Sequence, residues 1–202
     1  MRLTQGMIGR GMHFIKAGTL DFSTLKTNGK GLVEIIKDVV KSDLEYAEFK
    51  GFAISKRALE KHKQGIDTPF TATKTDIAAA KKVVETYEGK YGKTFKELVD
   101  YQHNLLVYLK DAGVISAALF EKVVELNKDY VPFYRVVDVT LKENVKDTHT
   151  LSKVVKNPLK KMEGDVTKPV IDPLESIFLN TLHFVQIAER NHVFTKYIEM
   201  VQ

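Results

Sequence analysis

Residues 172–202, DPLESIFLNTLHFVQIAERNHVFTKYIEMVQ, constrain this chain more than any other stretch. They open with Asp172 at a helix N-cap and Pro173 at the first helical position, where its missing N–H costs nothing. Glu175 three residues after the aspartate completes the pattern of a capping box. No proline or glycine follows before the end. The apolar residues, from Leu174, Ile177 and Phe178 through Leu182, Phe184, Val185 and Ile187 to Val193, Phe194, Ile198 and Val201, cover more than one stripe of the circumference. A helix apolar on several sides needs partners on several sides. The segment is therefore expected to be a central helix with the rest of the chain packed about it. Its stop in mid-helix without a C-cap points to an excised or truncated domain.

The rest of the chain is long enough to supply that packing. At 202 residues, 44% apolar and 28% charged, it falls in the ordinary globular class, and five prolines and twelve glycines are too few for a linker-rich chain. The absence of cysteine excludes disulfides, thiolate metal sites and cysteine nucleophiles. The excess of 31 basic over 26 acidic residues gives a net charge of +5 and a pI near 9.1. Most of that charge is interleaved, as in EIIKDVVKSDLEYAEFK, which reads as a mixed solvated surface. No run approaches the roughly 18–20 apolar residues that span a bilayer, so no membrane association is expected.

Hydrophobic periodicity predicts helices through most of the chain. Residues 2–17 form a weak helix, because three internal glycines cost about 1 kcal/mol each relative to alanine. Residues 19–31 form a connector with a turn at Asn28-Gly29. Residues 32–65 form one helix, or two with a kink near Ser42, stopped by Gly65. Thr73 or Thr75 caps a helix that ends around Gly89 and Gly92. Thr94 begins another over 95–112, and Ser116 caps a shorter one over 117–127. Short glycine-marked connections make this middle part a helical bundle. Pro132 and the aromatic, β-branched run around it predict an extended segment at 130–139, followed by a polar, lysine-rich connector to Asp172.

The patterns that carry chemistry fail one after another. GMIGRG at 6–11 lacks the spacing and the preceding strand of a nucleotide loop, and no G-x-S-x-G occurs. Glu189 and His192 share a helix face as a metal-binding Glu-x-x-His would, but such sites need a second copy, which is absent. Asp172 and Glu175 are explained by capping. Asn180, Glu189, Arg190 and Asn191, on an apolar central helix, are expected to be paired inside the bundle, because an unpaired buried charge costs several kcal/mol. Arg190→Ala is accordingly expected to lower the melting temperature. No cofactor, metal or catalytic set is expected. Two surfaces stand out for binding. The first is the turn carrying Tyr130, Phe133, Tyr134 and Arg135, where aromatics interleave with a basic residue. The second is the basic run of Lys153, Lys156, Lys160, Lys161 and Lys168.

Several runs, HFIKAGTLDFSTL (13–25), FAISKRALEKHKQGIDT (52–68), YGKTFKELVDYQHNLLVYLKDAGVIS (91–116), NKDYVPFYRV (127–136) and PVIDPLESIFLNTLHFVQIAERNHV (169–193), give the chain a wider resemblance. It resembles a helical segment of the large polyvalent proteins of bacteriophages and mobile elements. That resemblance implies a non-catalytic interaction or spacer module, delivered with phage DNA into the cytoplasm of an infected host and in some cases packaged in the virion. It departs from the family in standing alone from Met1.

The expected fold is mainly α: a single helical domain, with a packing segment at 1–31, a helical bundle at 32–127, an extended and lysine-rich connector at 128–171 and the central helix at 172–202. The leading functional expectation is a non-enzymatic module that binds a host or phage protein, with inhibition of a host defence system as its use. The alternative is sequence-independent nucleic-acid binding through the lysine-rich run. An enzyme ranks last.

Overall fold

A computed structural model describes residues 2–66, 68–128 and 172–201. The segment predicted to be extended at 130–139, and the lysine-rich run after it, lie outside the described residues. The fold is mainly α. Helix α1 (Arg2–Lys16) leads into a hairpin of two-residue strands, β1 (Thr19–Leu20) and β2 (Thr27–Asn28). It is followed by α2 (Leu32–Ile36), α3 (Asp43–Lys63), α4 (Lys74–Asp111), α5 (Ala117–Leu126) and α6 (Pro173–Val201). The hairpin was not visible in the sequence, where its residues read as a connector. Its two antiparallel pairs, Thr19 with Asn28 and Leu20 with Thr27, are too short to show alternation.

Local chemistry sets most of the helix ends. The Ser42 hydroxyl accepts the Glu45 N–H at 3.2 Å, so the stretch from Leu32 divides at Ser42 into α2 and α3. Thr73, rather than Thr75, caps α4 in a reciprocal capping box with Asp76. Ser116 accepts the Leu119 N–H at 3.2 Å to start α5. Gly65 and Gly113 follow the ends of α3 and α4 with φ of +73° and +72°, a left-handed conformation that a side chain would strain.

One expectation is corrected. The sequence predicts a break at Gly89 and Gly92, with a fresh start at Thr94, yet α4 runs unbroken for 38 residues. Its length is about 57 Å at 1.5 Å per residue. Tyr91, buried between the two glycines, packs its ring on Phe49 and Phe52 of α3 with centroids 5.6 and 6.1 Å apart. Four residues on, Phe95 meets Phe52 edge to face at 5.7 Å. This aromatic packing offsets the propensity lost at two glycines. It is reinforced on the rim by Lys90 and the Tyr91 hydroxyl, which donate to Glu48 at 2.8 and 2.7 Å.

The core is one continuous cluster. Phe14 of α1, Leu32 and Ile35 of α2, Phe49 and Phe52 of α3, Leu98, Leu105 and Leu109 of α4, and Ile177, Phe184, Val185 and Ala188 of α6 all belong to it. Helix α4 touches α2, α3, α5, α6 and β1, and α6 touches α1, α3 and α4. The long C-terminal helix thus shares the centre with α4. Glycine-rich α1 finds the support its sequence demands on α6. A Cβ at Gly11 would come within 2.9 Å of the Leu182 side chain, so the glycine permits the close approach.

A continuous α4 makes a definite statement about Gly89, around which a Cβ would meet nothing within 4 Å. Gly89→Ala is expected to stabilise the protein by about 0.5–1 kcal/mol. Chemical denaturation measures it, and a loss of stability would restore the broken helix.

Candidate functional site

Helix α6 and its cap carry the residues singled out in the sequence as structural, and the structure distributes them among unlike tasks. At its start, the Asp172 carboxylate accepts the Leu174 N–H at 2.9 Å and lies 3.1 Å from Lys50 Nζ on α3. Desolvation pushes the Asp172 pKa up, but hydrogen bonds from Tyr46, Lys50 and the Leu174 N–H outweigh it and hold the carboxyl below its ordinary range. Pro173 is buried in the first turn, and Glu175 faces solvent. These groups terminate and orient the helix.

Fifteen or so residues further along, the sequence expectation fails at one position and holds next door. Arg190 is exposed and makes no ion pair among the described residues. The buried charge belongs to Glu189, 8% exposed, whose Oε1 accepts from Arg10 Nη1 and from the Tyr108 hydroxyl, each at 2.5 Å. Neighbouring helical residues point about 100° apart, and the buried arc of α6 ends at Glu189, leaving Arg190 outside it. Arg10 reaches over from α1 to meet the glutamate. Burial, then the bond to Glu189, pushes the Tyr108 pKa up, so the phenol keeps its proton and remains a donor. Around this cluster, Phe14 and Phe22 set their edges against the Tyr108 ring at 5.0 Å. His192, the other member of the Glu-x-x-His spacing, stacks edge to face on Phe22 at 5.1 Å instead of joining Glu189. Asn191 donates to the Ala112 carbonyl at 2.8 Å and thereby satisfies a free acceptor at the end of α4. Among the described residues no group of three His, Asp or Glu side chains comes together to hold a metal ion.

A different feature emerges at the far end of α6. The middle of the buried face follows Ile177, Thr181, Phe184 and Ala188, spaced i, i+4, i+7 and i+11, with Ser176, Asn180 and Ile187 buried on one flank and Leu174 and Val185 on the other. Continued at the same azimuth, that line reaches Asn191, Thr195 and Glu199, which are polar. Phe194, Tyr197, Ile198 and Val201 lie toward the flank of the buried face that Ser176, Asn180 and Ile187 occupy earlier in the helix, with Ile187, Phe194 and Val201 in steps of seven. These four are 62%, 60%, 40% and 69% exposed. The buried arc is broad up to Glu189 and then stops, so the central helix expected from the sequence is covered over its first part only, and its last turns are exposed.

Elsewhere, an open cleft of about 430 Å³ between α3, α4 and α5 is lined by Lys56, Lys63 and Lys128 but also by Glu60 and Glu125. The mixture leaves little field of one sign for a charged ligand. The sequence-derived binding candidates Tyr130, Phe133, Tyr134, Arg135, Lys153, Lys156, Lys160, Lys161 and Lys168 lie outside the described residues. No helix among the described residues is long and apolar enough to cross a membrane. No family model, curated protein or solved structure matches this chain.

The difference between positions 189 and 190 is testable. Glu189→Ala strands the Arg10 and Tyr108 donors and is expected to cost about 2–3 kcal/mol, below the usual range for a broken buried pair because Arg10 keeps access to water. Arg190→Ala, at an exposed position, is expected to stay within about 0.5 kcal/mol of the parent. Desolvation first, and Arg190 second, lower the His183 pKa. The neutral ring is therefore favoured in the folded chain, and this group withdraws stability as pH falls below its ordinary value of about 6.5. Arg190→Ala should move the His183 titration upward, as followed by its ring proton shifts; an unmoved titration would contradict the geometry.

Proposed function

We propose that this chain is a non-enzymatic interaction module that binds a protein partner, and that it belongs to the phage or mobile-element setting implied by its resemblance to polyvalent-protein segments. The observation that carries the reading is the exposed apolar end of α6. Large exposed apolar groups gathered in one place, with polar neighbours, are the mark of a protein-binding surface. Here Phe194, Tyr197, Ile198 and Val201 are joined by Val193 and Met200. Further back on the same helix, Phe178 and Leu179 are also exposed. Buried polar groups of α6 such as Glu189, bound by Arg10 and Tyr108, and Thr181, bound to Tyr101, are by contrast engaged in holding the fold. In an infected cell such a module would act by occupying a host or phage protein, a defence enzyme being the target the resemblance suggests.

The nucleic-acid alternative rests on the lysine-rich run at 153–168 and is separated by a salt test. Phe194→Glu with Ile198→Glu, at positions that support no core, is expected to leave the helical circular dichroism and Tm unchanged while lowering partner capture from host lysate at least about tenfold. If wild-type protein retains no partner, or shifts DNA at micromolar concentration in low salt, the protein-binding reading fails.

A further inference from the structure

We infer that α5 is a hinged flap. It comes away from α4 as a unit about residues 113–116, is held shut by a latch that Arg57 and Lys61 of α3 close on Asn127, and uncovers Val99 and Leu106 of α4 when it opens.

Among the described helices, α5 is the one without a buried residue. Its helix-on-helix packing is against α4, through the half-buried Phe120 and Val123. Phe120 sets its ring on His103 at 5.5 Å and under Lys110 Nζ at 5.0 Å. Two clefts border this seam. The cleft of about 430 Å³ opens toward α3, and a second of about 260 Å³, lined by Val99, Leu106 and Val124, lies between α4 and α5. A helix of ten residues has little stability of its own in water, so once off α4 it unwinds.

The two ends of α5 are held differently. Before its start, Ala112 and Ile115 are buried, and Asn191 of α6 donates to the Ala112 carbonyl, so the end of α4 is fixed. Gly113, at φ +72°, turns the chain there and makes the hinge. At the far end the hold is polar. The Leu126 carbonyl accepts from Lys61 Nζ at 3.2 Å and from Gln64 Nε2 at 2.8 Å, and Asn127 Oδ1 accepts from Lys61 Nζ at 3.0 Å and from Arg57. Asn127 in turn donates to the Val123 carbonyl at 2.6 Å, which ties the latch to the last turn of the helix. Cationic donors at a helix C-terminus also answer its dipole. Desolvation first, and Arg57 second, lower the Lys61 pKa, with Glu60 acting against them. The oxygens of α5 are what these neighbouring cations gain from the closed position. Leu126 itself is 45% exposed and adds no apolar anchor.

Hydrogen exchange read by mass spectrometry on the full chain tests the flap. Amides of residues 120–126 are expected to exchange at least about tenfold faster than those of 98–109 and to respond weakly to low urea, because a local opening exposes little surface. Glu189→Ala loosens the bundle elsewhere and should speed exchange in 98–109 while leaving 120–126 unchanged, since the open flap keeps the Glu189 contacts. Asn127→Ala should speed exchange in 120–126 about tenfold. Equal rates and equal urea dependence in the two segments would overturn the inference, as would a Glu189→Ala variant that speeds both alike, because α5 would then open only with the whole chain. Exchange in 120–126 that is indifferent to Asn127→Ala would overturn the latch. The urea dependence of the parent protein decides the matter by itself should Glu189→Ala fail to fold.

Discussion

The carboxylate of Glu189 is the point on which the arrangement of this bundle turns. Bringing a carboxylate out of water costs several kcal/mol unless it is met by donors, and here the donors come from two other helices, Arg10 of α1 and Tyr108 of α4. The three helices are thereby joined at one point. Helix α1 has the most to gain. Its glycines give it little intrinsic stability, and its place is fixed by this bond, by the contact of Gly11 with Leu182, and by Phe14 packed on the Tyr108 ring. The hairpin that follows is drawn in by the same tyrosine, through Phe22.

A second seam, between α3 and α4, depends on shape more than on charge. Tyr91, Phe49, Phe52 and Phe95 interlock by edge-to-face contacts, while Lys56, resting over the Phe52 and Phe95 rings, closes the rim. The charged pairs around this seam, Lys90 with Glu48 and Lys56 with Glu88, sit largely in water and contribute little each. The bundle is therefore specified by one buried ionic contact on the α1 side and by aromatic packing on the α3 side.

How much of this was legible in the sequence follows the range of the interactions. Caps are local, and Ser42, Ser116, Asp172 and Pro173 announced their helices because donor and acceptor lie within three residues of each other. The break expected at Gly89 and Gly92 was a reading of local propensity, and it failed because Tyr91 is held by α3 residues some forty positions away in the chain. That Glu189 is buried and Arg190 is not was beyond sequence reasoning for the same reason: the partner of Glu189, Arg10, is 179 positions distant. At the candidate site, the sequence showed an apolar helix and predicted packing on several sides along its length; that its last turns stay exposed depends on how far the other helices reach along it.

The continuity of α6 has a bearing on the kinetics of recognition. An isolated segment of a dozen residues forms helix only marginally in water, because the first turn is costly to nucleate. In this protein the first turns are already locked in the core from Pro173 to Ala188, so the exposed end is grown from an existing template and costs only propagation. A partner docking on this end would therefore meet it already wound, because the entropy that a disordered tail surrenders on docking has been spent when the chain folded. Encounter with such an end is limited by orientation and diffusion, not by a coil waiting to become a helix.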